Sequence, residues 1–228
     1  MMSALFLGRA TLRRDAPAVA LAGLLVPEGS EARTAAAHRL VWALFADGPD
    51  RQRDFLWREE RPGMFMTLSS RPPVDPHGLF DLVYQDFSPA LAPGDRLRFS
   101  LRANAIIARS AGNGKPSRRG DVVMDALHAL PRTERGAARQ ETVLTAGRAW
   151  LAAQGVRHGF TPDASVLVDG YDTRRLLREG GAPLRFSSLD LDGGLTVDDP
   201  VLFMSQVSKG FGRAKAFGCG LMLIRRMR

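Results

Sequence analysis

Apolar and polar residues follow one another along this chain with two different periods, and the period distinguishes strands from helices. A period of two residues predicts strands over residues 3–12, 53–60, 64–70, 81–87, 96–104, 165–168, 184–191 and 221–224. A period near 3.6 residues predicts helices over residues 31–45, 135–154 and 200–208. Helices and strands are therefore mixed along the sequence, which indicates an α+β fold.

The predicted helix over residues 31–45 has its apolar residues on one stripe, formed by Ala37, Leu40, Val41, Leu44 and Phe45. Ser30 is a suitable N-cap, and Gly48-Pro49 ends the segment. Together with the strands around it, this helix produces the order β-α-β-β followed by a further β element. That order is most of a ferredoxin-like βαββαβ unit.

A break rich in proline and glycine, residues 89–94, separates this unit from the rest of the chain. We therefore expect an N-terminal domain over residues 1–89 and a C-terminal domain over residues 95–228. The second domain contains the remaining strands and helices, and a glycine-rich loop with the last strand closes it as a second α+β unit.

The charge of the chain is strongly basic, with a formal net charge of +8 and a sequence pI of about 10.8. A polyanion is the expected partner, nucleic acid first and an anionic membrane second. Residues 96–119 contain seven Lys or Arg and no acid, and residues 200–228 contain six and no acid. Because the remainder is net negative, this concentration favours a defined binding surface over general solubility.

Cysteine and hydropathy patterns exclude several protein classes. One cysteine, Cys219, allows neither an internal disulfide nor a cysteine-based zinc site, and it fits a reducing cytoplasm. No run of about 18 apolar residues occurs, so we expect no membrane span. Residues 1–10 are too short and too polar for the apolar region of a signal peptide.

Residues 209–221 combine four glycines with three cations and precede an apolar strand. Glycine allows positive φ and close approach to a ligand, and successive N–H groups can bind an anion. We therefore predict a phosphate-binding loop, with a flexible basic turn as the alternative. The spacing fits neither a P-loop, since no Gly-Lys pair occurs, nor a dinucleotide motif, since Lys215 occupies the place of the third glycine.

This segment resembles the C-terminal signature of the CasE-type CRISPR repeat-processing endoribonucleases, which serve the Cascade complex. The matching residues are Gly210, Gly212, Ala214, Lys215, Gly218, Gly220 and Leu221, with Arg213 where a proline is common. The strand sequence Leu-Arg-Phe-Ser-Leu-Arg-Ala-Asn at residues 97–104 resembles a second family motif, although Ala105 replaces the usual proline. The resemblance implies two tandem ferredoxin-like (RRM-like) βαββαβ domains.

The resemblance also assigns a catalytic role to His38, because the family carries its catalytic histidine on the first helix. By its helix position alone, at the edge of the apolar stripe near Trp42, a packing role is favoured. The implied reaction is metal-independent: a 2′-hydroxyl attacks the adjacent phosphate and leaves a 2′,3′-cyclic phosphate. The usual imidazole pKa near 6.5 suits this proton transfer. Ala35 stands where some members carry a tyrosine, so a second catalytic group is missing or supplied from elsewhere.

Lys215 is the second candidate catalytic residue, because a cation can stabilise the charge of a phosphorane; plain phosphate contact is the alternative. The remaining candidate RNA contacts are glycine and basic residues, namely Arg39, Arg96, Arg98, Arg102, Lys115, Arg118, Arg119, Arg174, Arg175, Arg178, Lys209, Gly210, Gly212, Arg213, Gly218 and Gly220. The arginines at 96, 98 and 102 are expected on one strand face. Those at 174, 175 and 178 are expected on a basic hairpin or helical turn that contacts an RNA stem through its shape and phosphates.

The expected function is cleavage of CRISPR precursor RNA at the base of the repeat hairpin, with the crRNA product retained alongside other Cascade subunits. No cofactor, metal or membrane is expected. The alternatives are a non-catalytic RNA-binding subunit of a ribonucleoprotein and a domain for ribosomal or other structured RNA. Four acidic residues, Asp190, Asp192, Asp198 and Asp199, lack a histidine partner, and Gly193-Gly194 is predicted to form a hairpin turn, so a solvated turn is favoured over a metal site.

Overall fold

The computed structural model describes residues 4–13, 15, 30–48, 51–109, 118–178 and 181–227. The first half of these residues contains β1 (Phe6–Leu12), α1 (Ser30–Ala43), β2 (Phe55–Arg61), β3 (Met64–Ser69) and β4 (Phe80–Asp86). The second half contains β5 (Arg96–Ala103), β6 (Ile106–Arg109), β7 (Arg118–Asp121), α2 (Val122–His128), α3 (Arg139–His158), β8 (Phe160–Pro162), β9 (Leu167–Arg178), β10 (Gly181–Val197), α4 (Pro200–Lys209), a 3-10 turn (Lys215–Phe217) and β11 (Met222–Arg226).

The first sheet has the antiparallel strand order β2-β3-β1-β4, which is the order of a ferredoxin-like unit. Its first helix is α1. The second helix of the unit is replaced by the irregular segment 70–79 between β3 and β4. As predicted, the apolar stripe of α1 is buried, and it packs with Phe55, Trp57 and Phe65 of the sheet. This small core holds α1 in one position on the sheet.

The second sheet has the order β11-β5-β10, and both β8 and β9 pair with the far side of β10. With β5, β10 and β11 as strands one, three and four, this is again the ferredoxin-like order, and α3 and α4 are its two helices. The prediction of an α+β fold with two ferredoxin-like domains in tandem is therefore confirmed. Among the described residues, none of the helices has the length and apolar character needed to cross a membrane.

Strand β2 contacts the cores of both domains, one with each of its faces. Phe55 and Trp57 point to the core around α1, whereas Leu56 belongs to the large core of the second domain. On the same face as Leu56, the guanidinium of Arg58 donates to Ser100 Oγ of β5 at 2.8 Å. The first half of β2 is thus held against the second domain.

Several predicted elements differ from the observed ones. The Gly193-Gly194 hairpin turn is wrong, because both glycines lie within β10 and pair with Phe99 and Arg98 of β5. Their lack of a side chain serves packing: a Cβ on Gly194 would lie 2.2 Å from Asp163 Oδ2. Residues 171–178 form a strand of the β9–β10 hairpin, so the helical-turn alternative is excluded. Strands β6 and β7 and helix α2 had no clear sequence pattern.

Candidate active site

His38 lies on α1, and its ring is bonded to the glycine-rich segment 178 residues away in sequence. His38 Nδ1 is 2.7 Å from the backbone oxygen of Ala216, in the 3-10 turn that follows α4. A carbonyl oxygen only accepts, so Nδ1 carries the hydrogen. The remaining nitrogen, Nε2, is then unprotonated in the neutral ring and is the atom able to accept a proton.

The backbone of the glycine-rich segment brings this turn to His38. Ala214 (φ 53°) and Gly218 (φ 80°) are left-handed residues at the two ends of the 3-10 turn. Gly218 also lies against the buried indole of Trp57, since a Cβ there would be 3.2 Å from its Cζ3. The turn therefore packs on both α1 and β2. Lys215, its first residue, directly precedes the residue that accepts the hydrogen bond from His38.

Aromatic rings fix the orientation of the imidazole. The ring of Phe217 lies 5.7 Å from that of His38, and Trp42 contacts it edge-on at 6.2 Å. Phe217 is itself stacked on Phe186 of β10 at 5.4 Å. His38 thus packs against aromatic rings, as its helix position predicted, but its side chain is only half-buried.

Burial and neighbouring cations lower the pKa of both candidate catalytic residues. For His38, burial lowers the pKa most, the bond to Ala216 opposes it, and Arg53 and Arg39 lower it further. For Lys215, burial and then Arg53 lower the pKa. The imidazole of His38 therefore stays neutral to a lower pH than that of a free histidine.

Arg53 was not a candidate in the sequence, yet its charge acts on both His38 and Lys215. It lies in the segment that leads into β2 and is half-buried, and burial lowers its own pKa. In the sequence Arg53 is the first residue of the predicted strand over residues 53–60, and Arg58 is a second arginine of that strand. Only the tertiary structure distinguishes the two.

Several N–H groups of the glycine-rich segment bond within the protein, so they do not form a continuous cradle for a phosphate, which corrects that part of the prediction. Gly210 N donates to Gln206 O, Gly220 N to Arg102 O and Phe211 N to Gly220 O. The glycines allow close packing instead. A Cβ on Gly212 would lie 2.5 Å from Asn104 O, and one on Gly210 would lie 2.7 Å from Leu56 Cδ2. Gly210 and Gly220 therefore do not offer their N–H groups to RNA.

The three arginines of β5 share one face, as predicted, but they do not gather at His38. Arg102 makes a bidentate ion pair with Asp190 at 2.7 and 2.8 Å, so an intramolecular partner competes with a phosphate for its guanidinium. Arg96 is paired with Asp163 at 2.6 Å. Arg98 is exposed and lines an open groove with Arg225 and Arg226.

The β9–β10 hairpin carries a basic surface next to α1. Arg174 is partly buried, and its Nη1 donates to Thr34 Oγ1, one helical turn before His38, at 3.3 Å. Arg175 is exposed and stands directly opposite Arg185, another exposed arginine that the sequence alone did not single out. Like charges at opposing positions destabilise a sheet, so this pair is suited to an anionic partner.

The other predicted contacts are spread over different surfaces. Arg39 is exposed beside His38, and Lys209 ends α4, where it donates to Ser205 Oγ. Arg213 is exposed and lines an apolar groove with Trp150. Arg119 is exposed on β7. For the arginines at 118 and 178 the structure describes the backbone alone, and Lys115 lies outside the described residues.

Three of the four acidic residues considered for a metal site have other partners. Asp190 binds Arg102, Asp199 caps α4 through the N–H groups of Val201 and Leu202, and Asp198 accepts from Thr161. Within the described ranges, no group of three or more His, Cys, Asp or Glu side chains has a geometry that could hold a metal ion.

Comparisons with known proteins agree with this architecture. The family described as "CRISPR associated protein" matches residues 5–226. The Cascade subunit CasE of Escherichia coli is 24% identical over 190 residues, covering 81% of this chain and 88% of that protein. The CRISPR-associated endoribonuclease Cse3 of Thermus thermophilus is 32% identical over 141 residues, covering 60% of this chain and 59% of that protein.

Solved structures of such proteins share the fold over nearly their whole length. A structure of Cse3 bound to a 19-nucleotide RNA has a TM-score of 0.66 at 24% identity, covering 97% of this chain and 99% of that one. Cas6e from Escherichia coli has a TM-score of 0.61 at 19% identity, covering 97% and 100%. The chain therefore belongs to the CRISPR-associated protein family, and its resemblance to the CasE-type endoribonucleases is confirmed.

Proposed function

We propose that this chain is an endoribonuclease that cleaves CRISPR precursor RNA at the base of the repeat hairpin by a metal-independent reaction. The observation that carries the proposal is the bond from His38 Nδ1 to Ala216 O, because it orients the ring and leaves Nε2 as the unprotonated nitrogen of the neutral imidazole. A second support is the name of the Thermus relative, an endoribonuclease. A third is the position of Lys215, the candidate cation for the phosphorane, directly before the residue that is bonded to His38.

In the proposed reaction the 2′-oxygen of one nucleotide attacks its own 3′-phosphorus while the bond to the next 5′-oxygen breaks. The 2′-hydroxyl proton leaves to a base and the departing 5′-oxygen takes up a proton, so no water or other reactant is consumed. The products are a 2′,3′-cyclic phosphate and a 5′-hydroxyl. Neutral His38, whose pKa is lowered by burial, is suited to accept the first proton at Nε2.

Lys215 is assigned to the phosphate, since a cation beside the phosphorane stabilises charge that grows in the transition state. The exposed arginines at 175 and 185 are assigned to the stem of the repeat, where contacts go to phosphates. The Escherichia coli relative is named as a Cascade subunit, which supports retention of the crRNA product in a surveillance complex with other subunits.

The test is single-turnover cleavage of a labelled repeat hairpin in EDTA. His38→Ala should lower the rate by about 10²–10⁴-fold, and Lys215→Ala by about 10²–10³-fold, both with little change in RNA affinity. His77→Ala, in an exposed turn, is the matched control and should cleave at the wild-type rate.

The substrate supplies a second arm of the same test. A hairpin with one 2′-deoxy nucleotide just upstream of the cut should bind and remain whole, because it lacks the nucleophile. Cleavage of that hairpin, or loss of wild-type activity in EDTA, would refute the mechanism. A His38→Ala variant that cleaves within a few-fold of wild type would leave a non-catalytic RNA-binding subunit as the function.

A further inference from the structure

Arg53 has a buried donor that no described residue accepts. Its Nη1 is inaccessible to solvent and has no hydrogen-bond partner within the described part of the chain. Buried polar groups are nearly always bonded, and a guanidinium is always charged. The Arg53 side chain as a whole is only half-buried, so this guanidinium with an unused donor is suited to an acceptor that belongs to a bound molecule.

The described acids near Arg53 in sequence form ion pairs with other arginines, although Oδ1 of Asp54 has no hydrogen-bond partner among the described residues. Asp54 accepts from Arg71 at 2.8 Å and from Arg51 at 3.0 Å, and Asp47 is paired with the same two arginines. Burial raises the pKa of Asp54, but Arg71 and Arg51 outweigh it and lower the pKa, and Arg53 is not among the causes. Arg53 is thus the arginine of this segment that is left without a carboxylate among the described residues.

A chain of contacts leads from the segment that contains Arg53 to the candidate catalytic histidine. Arg53 lies two residues before Phe55 of β2, whose ring contacts Trp42 at 5.2 Å, and Trp42 in turn contacts His38 at 6.2 Å. The charge of Arg53 lowers the pKa of His38 and of Lys215. No carboxylate contributes to either of those shifts, so the described residues hold a group of basic side chains without compensating charge. Such a group is suited to an anion.

We propose that Arg53 is a further catalytic residue that donates hydrogen bonds to a non-bridging oxygen of the scissile phosphate. This inference rests on the proposed function. As the 2′-oxygen–phosphorus bond forms and the bond to the 5′-oxygen breaks, the phosphate changes from a monoanion to a dianionic phosphorane. Arg53 stabilises the charge that grows on the non-bridging oxygens. The phosphate is a monoanion again in the cyclic product, after the 5′-oxygen has left and taken up its proton.

Arginine suits this position better than lysine would. A guanidinium offers planar, paired donors that match two phosphate oxygens, and it is more weakly hydrated than an ammonium group. Its position in the segment before β2 places it beside Phe55 and Trp57, which are buried in the core of the first domain. Lys215 approaches from the second domain, so the phosphate would be held between the two domains.

The experiment measures single-turnover cleavage of the repeat hairpin at saturating protein for the wild type, Arg53→Ala, Arg53→Lys and Arg51→Ala. Arg53→Ala should lose about 10²–10³-fold in rate, as for removal of one transition-state donor, with a change in Kd below about fivefold. Arg53→Lys should cleave at an intermediate rate. Arg51→Ala, in the same segment but paired and exposed, should cleave within about threefold of wild type.

Added guanidinium ion provides a readout that a purely structural role would not move. It should restore at least about tenfold of the rate of Arg53→Ala and none of the rate of His38→Ala. Wild-type rates for Arg53→Ala, or absence of rescue in a variant that melts like wild type, would overturn the role of Arg53. If the wild type leaves the hairpin whole, the proposed function itself fails, so the two failures are distinguishable.

Discussion

Gly220→Ala is the most informative single substitution in the glycine-rich segment. Gly220 has φ +95°, and a Cβ there would lie 2.8 Å from the backbone oxygen of Phe211 and 3.2 Å from Cγ of Lys215. Its own N–H bonds to Arg102 O at 2.7 Å, and its carbonyl accepts from Phe211 N at 2.9 Å. The clash is with backbone, so it cannot be relieved by rotation of a side chain.

The expected cost follows from these contacts. A non-glycine residue held in a sparsely populated backbone region costs about 1–3 kcal/mol. Loss or lengthening of the bond between Phe211 and Gly220 adds about 1 kcal/mol. The sum, about 2–4 kcal/mol, corresponds to a fall in Tm of about 4–16 °C for a chain of this size. Displacement of Lys215 should also slow cleavage at temperatures where the variant is folded.

Thermal unfolding of the protein without RNA tests this, with Gly136→Ala as the control. A Cβ on Gly136 would meet no atom within 4 Å, and Gly136 does not have a positive φ, so its substitution should move Tm by no more than about 2 °C. If Gly220→Ala melts within about 2 °C of wild type, the segment does not have the backbone conformation on which the positioning of Lys215 and Ala216 depends.

Two further predictions concern pH and salt. Burial, Arg53 and Arg39 lower the pKa of His38, and protonation of Nε2 below that pKa removes the base, so the acid limb of kcat/KM should lie below pH 6.5. In Arg53→Ala the limb should move to higher pH, because one of the cations that lower the pKa is removed. A limb above about pH 7 in the wild type would contradict the role of His38 as the base. Arg175→Ala and Arg185→Ala should each flatten the slope of log K against log salt by about 0.7–0.9 for every phosphate that the variant no longer binds. Arg96→Ala, an arginine paired with Asp163, is the control, and equal slopes for all three variants would contradict the assignment of the hairpin to RNA.

The sequence alone identified the α+β class and the family, because both depend on local patterns. The stripe of α1 and the alternation of β5 reflect which side of an element faces the core, and this is encoded residue by residue. The family motif of the last segment is likewise a local spacing of glycines, since each of Gly210, Gly212, Gly218 and Gly220 has a positive φ. Their purpose was misjudged, because close packing and an exposed anion cradle require the same glycines.

The geometry of the candidate active site was decided by the tertiary structure. His38 and Ala216 lie 178 residues apart, and no local pattern encodes the bond that orients the ring. The sequence does not distinguish Arg51, Arg53 and Arg102 by their ion pairs. In the structure Arg51 and Arg102 form ion pairs with carboxylates, whereas Arg53 forms none with the described residues. Such differences arise from long-range packing of β2 and the 3-10 turn against α1. The sequence determined which groups could do the chemistry, and the fold decided which of them meet without a compensating charge.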